Sequence, residues 1–285
     1  MVFLGMVLSV KVFEVNTKSI LTKTSIEGCD YSLNQYVGCQ HACLYCYAKY
    51  MCKYYNYGDW GSWVLVKMNA PNLIKGRYID GIICMSTVSD PYQPIEKRYM
   101  LTRKILKYMD KRIKLRILTK SDLILRDLDI LKTYGNIEVG LTVNGFNRSI
   151  KKILEPHSPA HNARVNALNE IHKEGIKTYG FISPVIPGLV DVESVINEVR
   201  GYVNYFIIEV INLKGAGAKF RRFLDKTAPN SMKILRDSKL MADFINNLVD
   251  IARKYKVYKI ITHFPRKWST IYPNTNLTKY AGCKI

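Results

Sequence analysis

The chain has 285 residues, of which 48% are hydrophobic and 23% are charged. This length suits a single barrel-sized domain with a full core, and the composition excludes a disordered or fibrous protein. Lys and Arg outnumber Asp and Glu by 43 to 23, and the resulting net charge of +20 favours polyanionic partners. The apolar residues 1–10 are too few to span a bilayer and lack a signal-peptide pattern, so they predict a strand. We expect a cytoplasmic protein with no membrane partner.

Short β-rich apolar runs alternate with amphipathic helical stretches along the chain, which is the pattern of βα units around a parallel sheet. Strands are predicted near 32–37 and over 81–87, 114–119, 137–143, 177–183, 204–211 and 257–262. Helices are predicted over 98–109, 122–133, 159–174, 191–200 and 234–254. The first six of these strands predict an α/β fold, a partial (β/α)6 TIM-like barrel with its chemistry at the carboxyl ends of the strands.

No internal repeat or low-complexity linker divides the chain, so one domain is expected. The predicted barrel occupies residues 31–215. Residues 1–30 are expected to form an N-terminal extension that packs on the barrel. Residues 216–285 are expected to form a basic C-terminal extension of the same domain.

Three cysteines, Cys39, Cys43 and Cys46, are separated by three and then two residues. Three thiolates this close can hold three irons of a [4Fe–4S] cube and leave the fourth iron open for a small chelating ligand. Zinc is the alternative, with Cys29 or Cys52 as a fourth ligand, although structural zinc usually takes two separated ligand pairs. The cysteines outside the motif stand singly, which predicts buried thiols rather than disulfides in a reducing cytosol.

The sequence around these cysteines, from Cys29 to Ala48, resembles the cluster loop of radical SAM enzymes, and more narrowly the branch that contains spore photoproduct lyase. Segments 89–96, 118–121 and 184–189 resemble that branch as well. The resemblance implies a (β/α)6 barrel, a [4Fe–4S] cluster and S-adenosylmethionine (SAM). It also implies that a reductant such as ferredoxin or flavodoxin supplies an electron, that SAM is cleaved, and that the resulting 5′-deoxyadenosyl radical abstracts hydrogen from a substrate.

The resemblance assigns roles to single residues. Cys39, Cys43 and Cys46 would ligate the cluster. Tyr47 would lie near the adenine of SAM, and Tyr45 with Tyr47 would act as catalytic residues that relay a hydrogen atom. Packing of both rings against the cluster is an equally good interpretation.

Further polar residues, four at predicted strand ends and one in the predicted helix 159–174, match positions that contact SAM in this family. They are Ser89, Asp90, Lys120, Thr142 and Arg164. Asp90 would also support its own loop. Arg164 and Glu155 would orient the SAM carboxylate, although a salt bridge that fixes a loop to the following helix is the simpler role for this pair.

The chain departs from spore photoproduct lyase at one position. In that branch the loop aligned with residues 87–90 begins with a cysteine, which donates the hydrogen atom that ends the repair cycle. Thr87 stands there in this chain, and a hydroxyl is a poor hydrogen-atom donor. Cys84 faces the opposite side of the predicted strand from Thr87 and cannot replace the donor. We therefore expect SAM cleavage without photoproduct repair.

Basic and aromatic residues concentrate in three segments. Residues 251–285 contain eight Lys or Arg, six aromatic residues and no acid; residues 213–236 contain seven Lys or Arg and one acid; residues 44–63 contain eight Tyr or Trp. Because cations contact phosphates and rings stack on bases, the C-terminal region predicts a nucleic-acid surface. The alternatives are a lysine-rich solubilising surface and, for residues 44–63, an aromatic cover over the radical site.

Three functions are compatible with these patterns. The first is a radical SAM enzyme whose substrate is a nucleic acid or nucleotide. The second is a radical SAM activating or maturation enzyme for a protein or peptide, with the basic region docking an acidic partner. The third is a non-catalytic zinc-containing module that binds RNA.

Overall fold

In the computed structural model, which describes residues 10–264 and 269–273, twelve strands form two sheets. The strands are β1 (Lys11–Val15), β2 (Leu21–Lys23), β3 (Tyr31–Leu33), β4 (Tyr36–Val37), β5 (Trp63–Lys67), β6 (Ile82–Met85), β7 (Lys114–Thr119), β8 (Ile137–Thr142), β9 (Lys177–Val185), β10 (Tyr205–Val210), β11 (Val257–Thr262) and β12 (Ser269–Ile271). The larger sheet has the order β12-β11-β10-β9-β8-β7-β6-β3-β2, and the smaller has the order β1-β5-β4.

Helices connect the strands of the larger sheet. The α-helices are α1 (Ala70–Ile74), α2 (Glu96–Tyr99), α3 (Leu101–Tyr108), α4 (Leu128–Leu131), α5 (Arg148–Leu154), α6 (His161–Lys173), α7 (Val192–Val199), α8 (Gly217–Thr227), α9 (Pro229–Arg236) and α10 (Ser238–Arg253). Residues Tyr47–Lys53, Asp122–Asp127 and Arg200–Tyr202 form 3₁₀ helices. In α6 the buried residues Val165, Leu168 and Ile171 recur at helical spacing, as the sequence predicts.

The central strands, β3 and β6 to β11, run parallel, whereas β2 and β12 pair antiparallel at the two edges. The six predicted βα strands form the curved parallel sheet of a partial barrel, and β11 adds a seventh parallel strand. Alternate residues face opposite sides: Leu115 and Ile117 of β7 are buried in the main core, whereas Leu118 packs inside the barrel. The prediction of an α/β partial barrel is confirmed.

The predicted first strand, 32–37, is wrong in one respect, because it is two strands. β3 joins β6 in the larger sheet, but β4 pairs antiparallel with β5 in the smaller one. Between them, the buried Gln35 side chain donates to the Thr102 hydroxyl at 2.7 Å. The chain therefore leaves the barrel before the cysteine loop begins.

Side chains from neighbouring strands fill the barrel interior. Tyr179, Ile207 and Ile261 form a buried cluster there, with Leu118, Phe181 and Tyr205 packed against it. A Cβ at Gly140 would lie 2.2 Å from the ring of Tyr179, so glycine makes room for this ring. The interior of the barrel is therefore a packed core, as in closed barrels of this kind.

Within the described part of the C-terminal region, Tyr258 and Tyr272 lie at the amino-terminal edge of the strands, on the opposite side from the cysteine loop. Tyr258 stands near the start of β11 and its ring packs 5.6 Å from that of Tyr272. Tyr272 donates a hydrogen bond to Glu27, which also accepts from Lys259 at 3.5 Å. This surface is thus distant from the cysteine loop and partly neutralised. Arg266, Lys267, Trp268, Lys279, Tyr280 and Lys284 lie outside the described residues.

The described residues before and after the predicted barrel contribute strands to the two sheets. β1 lies beside β5 in the smaller sheet, β2 forms an edge of the larger one, and β11 and β12 extend the opposite edge. The apolar strand predicted within residues 1–10 lies, apart from Val10, outside the described residues. None of the helices in the described part combines the length and apolar character that a bilayer crossing requires.

The expectation that Cys29 and Cys84 are separate thiols is wrong. The parallel pairing of β3 with β6 brings the two Cα atoms to 5.8 Å, and the cysteines form a disulfide. This Cα separation lies within the usual disulfide range. Single cysteines in the sequence gave no sign of the pairing, because it depends on strand neighbours that are 55 residues apart.

We expect reduction of this disulfide to lower the free energy of unfolding by about 2–4 kcal/mol, because the link closes a long loop in the unfolded chain. Urea unfolding with and without dithiothreitol measures the effect. The Cys29→Ser/Cys84→Ser variant is the control and should not respond to the reductant. Alkylation of both cysteines in the native, unreduced protein would contradict the assignment.

Candidate active site at the carboxyl edge of the sheet

The cysteine loop begins where β4 ends. Gly38 has φ of +82°, and a Cβ there would lie 2.5 Å from the backbone oxygen of Trp63. Glycine is the residue that fits such a left-handed position with so little room. Further along, the backbone N–H of Leu44 donates to the carbonyl of Leu154 at 2.8 Å. The loop is therefore anchored by β5 at its start and by α5 in its middle.

The three cysteines of the motif are free thiols, with Cys39 and Cys43 buried and Cys46 partly buried. Burial raises the pKa of each thiol, to about 12 for Cys43, and the neighbouring Cys46 adds to the rise at Cys39 and Cys43. No three Cys, His, Asp or Glu side chains within residues 10–264 and 269–273 converge as ligands of a single ion do. A four-iron cube takes each thiolate on a different iron, so three separate thiols on one loop fit that cluster.

The two cysteines that the sequence offers as a fourth zinc ligand have other surroundings. Cys29 is in the disulfide with Cys84. Cys52 packs against the small core formed by Val37, Trp63 and Leu65. The donor set of the loop is thus three thiols, which would leave one iron of a four-iron cube for another ligand.

Glu155 is the centre of a buried hydrogen-bond network beside the loop. Its carboxylate accepts from Asn144 at 2.9 Å, from Ser158 at 3.0 Å, and from Tyr45 and Arg164. Burial alone would raise the pKa of Glu155, but the Arg164 and Lys120 cations lower it to about 2. Glu155 is therefore held as a carboxylate.

Arg164 is almost completely enclosed by protein groups. Besides Glu155, its guanidinium donates to Ser158 at 2.7 Å and to the carbonyls of Pro159 at 2.9 Å and Thr142 at 3.2 Å. These bonds tie α6 to the loop before it and to the end of β8. The arrangement matches the salt-bridge interpretation of the pair, and a direct contact with SAM stays a prediction.

Asp90 joins the cysteine loop to two strand ends. Its carboxylate accepts from the backbone of Tyr92 at 2.8 Å and of Lys120 at 2.8 Å, and from the Thr119 hydroxyl at 2.6 Å. The His41 ring, inside the cysteine motif, lies 3.4 Å away. Burial opposes ionisation, but His41 and these donors lower the pKa of Asp90 to about 2. The carboxylate thus supports the loop, and its predicted contact with SAM remains untested.

Lys120, Ser89 and Thr142 complete the set of predicted SAM-binding residues. The Lys120 ammonium lies 3.4 Å from the Thr142 hydroxyl and 5.8 Å from the centre of the Tyr45 ring. Burial lowers the pKa of Lys120, but the nearby Cys43 and Glu155 outweigh this and raise it. Ser89 donates to the carbonyl of Tyr36 at 3.1 Å. The fold thus places a cation and two hydroxyl groups beside the cysteine loop, and their contacts with SAM stay a prediction.

Tyr45 and Tyr47 are directed to different partners. Tyr45 is partly buried, and its hydroxyl donates to Glu155. Tyr47 is 47% exposed, and its hydroxyl donates to the carbonyl of Thr87. Hydroxyls with separate acceptors do not form a hydrogen-bonded relay in this state, so a shared catalytic role for the two stays a prediction.

Sequence reasoning missed three polar residues at the mouth of the barrel. Glu209 accepts from the Ser183 hydroxyl at 2.8 Å and lies 3.3 Å from the His263 ring. Ser183 and Glu209 are on β9 and β10, and His263 directly follows β11. The detectable signal was one glutamate in the otherwise apolar strand β10, at a position that alternation directs into the barrel.

Thr87 also lies at the mouth of the barrel. It stands at the position that aligns with the donor cysteine of spore photoproduct lyase. Its backbone N–H donates to the Asn34 side chain at 2.8 Å, and its hydroxyl accepts from the Asn34 amide at 3.0 Å. Cys84 cannot replace it as a thiol donor while it is bound to Cys29. Neither Thr87 nor the disulfide-bonded Cys84 therefore offers a thiol as a hydrogen-atom donor, and the absence of photoproduct repair stays a prediction.

A family model described as the radical SAM superfamily matches residues 33–199. The chain belongs to the radical SAM superfamily and is a radical SAM enzyme. An uncharacterized protein of Methanocaldococcus jannaschii is 48% identical over 245 residues, which are 86% of this chain and 94% of that protein. One of Acidianus two-tailed virus is 30% identical over 171 residues, which are 55% of this chain and 56% of that protein.

Solved structures of spore photoproduct lyase share the fold. The enzyme complexed with dinucleoside spore photoproduct gives a TM-score of 0.59 at 13% identity, over 86% of this chain and 79% of that chain. A variant with bound AdoMet and dinucleoside spore photoproduct gives 0.53 at 16% identity, over 76% and 67%. The fold confirms the resemblance to this branch. Because the chain is a radical SAM enzyme, the alternative function as a non-catalytic zinc-containing module is wrong.

Proposed function

We propose that the protein holds a [4Fe–4S] cluster through Cys39, Cys43 and Cys46 and acts with SAM on a nucleic acid. When bound, the cluster and SAM supply reductive cleavage and hydrogen-atom abstraction, with the electron coming from a small reductant protein such as ferredoxin or flavodoxin. The chain itself contributes the buried three-thiol loop, the Lys120 cation and a mouth bordered by Tyr47. The observation that supports this cluster is that all three cysteines of one loop, at the carboxyl edge of the sheet, are free thiols.

The substrate proposal rests on a surface next to the cysteine loop, which we call the tyrosine ladder: Tyr47, Tyr50 and Tyr54. Their rings are 47%, 42% and 76% exposed, and successive ring centres are 6.5 and 6.2 Å apart. A row of exposed rings provides platforms for successive bases of a single strand. Buried rings would favour an aromatic cover over the radical site, so the exposure supports the nucleic-acid interpretation.

Basic side chains lie beside the tyrosine ladder. The Lys49 ammonium lies 3.4 Å from the carbonyl of Ala216, at the start of α8, which places this helix against the 3₁₀ helix that carries the ladder. Lys219, Arg222 and Lys226 are exposed and recur at helical spacing along one face of α8. Lys219 pairs with Asp59 at 2.9 Å, so Arg222 and Lys226 are the better candidates for phosphate contacts. Cations along a row of rings are typical of single-strand binding surfaces.

The Tyr54→Ala variant should bind single-stranded oligo(dT) about fivefold or more weakly than the wild type, because one stacked base is worth about 1–3 kcal/mol. Fluorescence anisotropy of a labelled oligonucleotide measures this affinity. The matched control is Tyr258→Ala, which removes a ring of 53% exposure at the opposite edge of the barrel and should leave the affinity unchanged.

A second measurement tests the basic face of α8. Neutralising Arg222 and Lys226 together should reduce the slope of log affinity against log salt by about 1.4, at about 0.7 per phosphate contact on a single strand. An equal loss of affinity in Tyr258→Ala would place the surface in the C-terminal region instead. If no oligonucleotide binds, the result would favour a protein or peptide substrate.

A further inference from the structure

Helix α5 and the turn after it, residues 148–157, lie against the outer side of the cysteine loop. The carbonyl of Leu154 accepts from the backbone N–H of Leu44, inside the cysteine motif, at 2.8 Å. The carbonyl of His157 lies 3.3 Å from Nδ1 of His41, which belongs to the same motif. This segment therefore connects the protein surface directly to the loop that carries the three thiols.

A cavity opens beside this segment and reaches the cysteine motif. Its volume is about 220 Å³, and its lining includes His41, Lys97, Asp122 and His157. Lys97, Asp122 and His157 are exposed, whereas His41 is buried. Solvent space thus extends from the surface to a residue of the motif, so the cysteine loop has a thin cover on this side.

The exposed face of α5 is basic and carries an apolar residue. Arg148 and Lys152 are four residues apart, as are Ser149 and Ile153, so these exposed side chains share one side of the helix. Ile153 is 48% exposed. The carboxylate of the segment, Glu155, is buried and paired within the protein. The exposed face therefore has positive charge and no carboxylate from its own segment.

The composition of this face favours a protein partner over a nucleic acid. α5 has no aromatic residue, and single-stranded nucleic acid binds to rings on which its bases stack. An aliphatic side chain beside cations is instead typical of protein interfaces, in which an apolar centre lies within a polar rim. Opposite charges on two proteins steer their encounter and fix their orientation. An acidic protein surface with an apolar centre is the complement of this face.

We propose that Arg148, Lys152 and Ile153 form the docking surface for a small acidic protein that delivers the electron, of the ferredoxin or flavodoxin type. Electron transfer slows steeply with distance, so the donor must dock where the cysteine loop lies close to the surface, as it does beneath residues 148–157. The donor is oxidised by one electron and the cluster held by the loop is reduced by one, with no bond formed or broken. The inference rests on the proposed function and names the partner surface of the same site.

Charge reversal on this face tests the proposal. The cluster-reconstituted protein is titrated anaerobically with oxidised ferredoxin, and in parallel with flavodoxin, by isothermal titration calorimetry. In Arg148→Glu/Lys152→Glu the affinity for the donor should fall about tenfold or more at low salt, because the steering charges are inverted. Ile153→Gln keeps every charge and should weaken binding about fivefold, because it removes the apolar centre.

A kinetic measurement separates docking from catalysis. Reduction of the cluster by reduced ferredoxin, followed by stopped-flow absorbance, should be slower in Arg148→Glu/Lys152→Glu than in the wild type. Added salt should reduce this difference, because it screens exposed charges. Dithionite is a small reductant that needs no docking surface, so dithionite-driven formation of 5′-deoxyadenosine should be the same in both proteins.

The matched control is Lys104→Glu/Lys107→Glu on α3. Both lysines are exposed, and the variant changes the net charge by the same amount. α3 leads to the start of β7, at the amino-terminal edge of the sheet and away from the cysteine loop. This variant should keep its affinity for the donor, and thermal melting should confirm that all variants are folded. An equal loss of affinity in the control would show a response to net charge alone and would contradict the proposal.

The outcomes separate this inference from the proposed function. If no cluster assembles, or if dithionite yields no 5′-deoxyadenosine, both fail. If both are observed but neither donor binds, or if the α5 variants bind the donors as tightly as the wild type, the docking surface is wrong and the proposed function stands. If Arg148→Glu/Lys152→Glu weakens the binding of labelled oligo(dT) and not that of the donors, α5 belongs to the nucleic-acid surface instead.

Discussion

The Cys43→Ala variant is expected to hold no [4Fe–4S] cluster and to form no 5′-deoxyadenosine from SAM. Cys43 is buried in the middle of the loop, and its removal leaves two thiolates where three are needed. Iron and sulfide content after anaerobic reconstitution, visible absorbance, and chromatography of 5′-deoxyadenosine after dithionite reduction measure the loss.

The matched control is Cys52→Ala, which removes a free cysteine nine residues further along the chain. Cys52 packs against the small core around Trp63, so its loss should leave the cluster in place. Retention of the cluster and of SAM cleavage in Cys43→Ala would overturn the ligand assignment. Loss of the cluster in Cys52→Ala would bring a fourth ligand back into consideration.

The Arg164→Leu variant should be less stable than the wild type by about 3–5 kcal/mol, because it leaves the Glu155 carboxylate buried without its cation. Arg164 and Glu155 are both almost completely inaccessible to solvent, and four protein groups donate to this carboxylate. Urea unfolding of the apoprotein measures the change. Tyr45 and Asn144 share the network, so the geometry beside the cysteine loop should also loosen.

The control for this effect is an exposed ion pair. Lys173 lies 2.9 Å from Glu170 on the surface of α6, and Lys173→Leu should cost less than about 1 kcal/mol. The double variant Glu155→Leu/Arg164→Leu should recover part of the stability lost in Arg164→Leu, because it removes the unpaired charge. A cost for Arg164→Leu as small as that for Lys173→Leu would show that the pair is not a structural anchor.

Much of the fold could be predicted from hydrophobic periodicity. β7 and β11 have the predicted bounds, and α6 and α7 differ from prediction by one or two residues at each end. The elements that were missed are short or polar, such as β1, α5 and the basic helix α8. The helix predicted over 122–133 is a 3₁₀ helix followed by four residues of α-helix, since periodicity does not distinguish these forms at such lengths.

Less of the candidate site could be predicted from the sequence, because the role of each residue there depends on the direction of its side chain and on its neighbours in space. Asp90 at a strand end and Arg164 in a helix were selected as SAM-binding residues, but the fold surrounds both with protein donors and acceptors. Glu209 was not selected, although its carboxylate lies at the barrel mouth. A sequence marks a polar residue, whereas only packing decides whether its hydrogen bonds are filled by protein or remain available to a ligand.

The sequence alone determined the superfamily, because three thiols at short spacing on one loop need no distant partner to be recognised. It also determined the order of strands and helices, since periodicity is local. The tertiary structure decided what depends on distant neighbours: the Cys29–Cys84 pairing, the network around Glu155, and the position of the aromatic surfaces. It placed the tyrosine ladder beside the cysteines and Tyr258 at the far edge, because parallel strands put their starts and ends at opposite sides of the sheet.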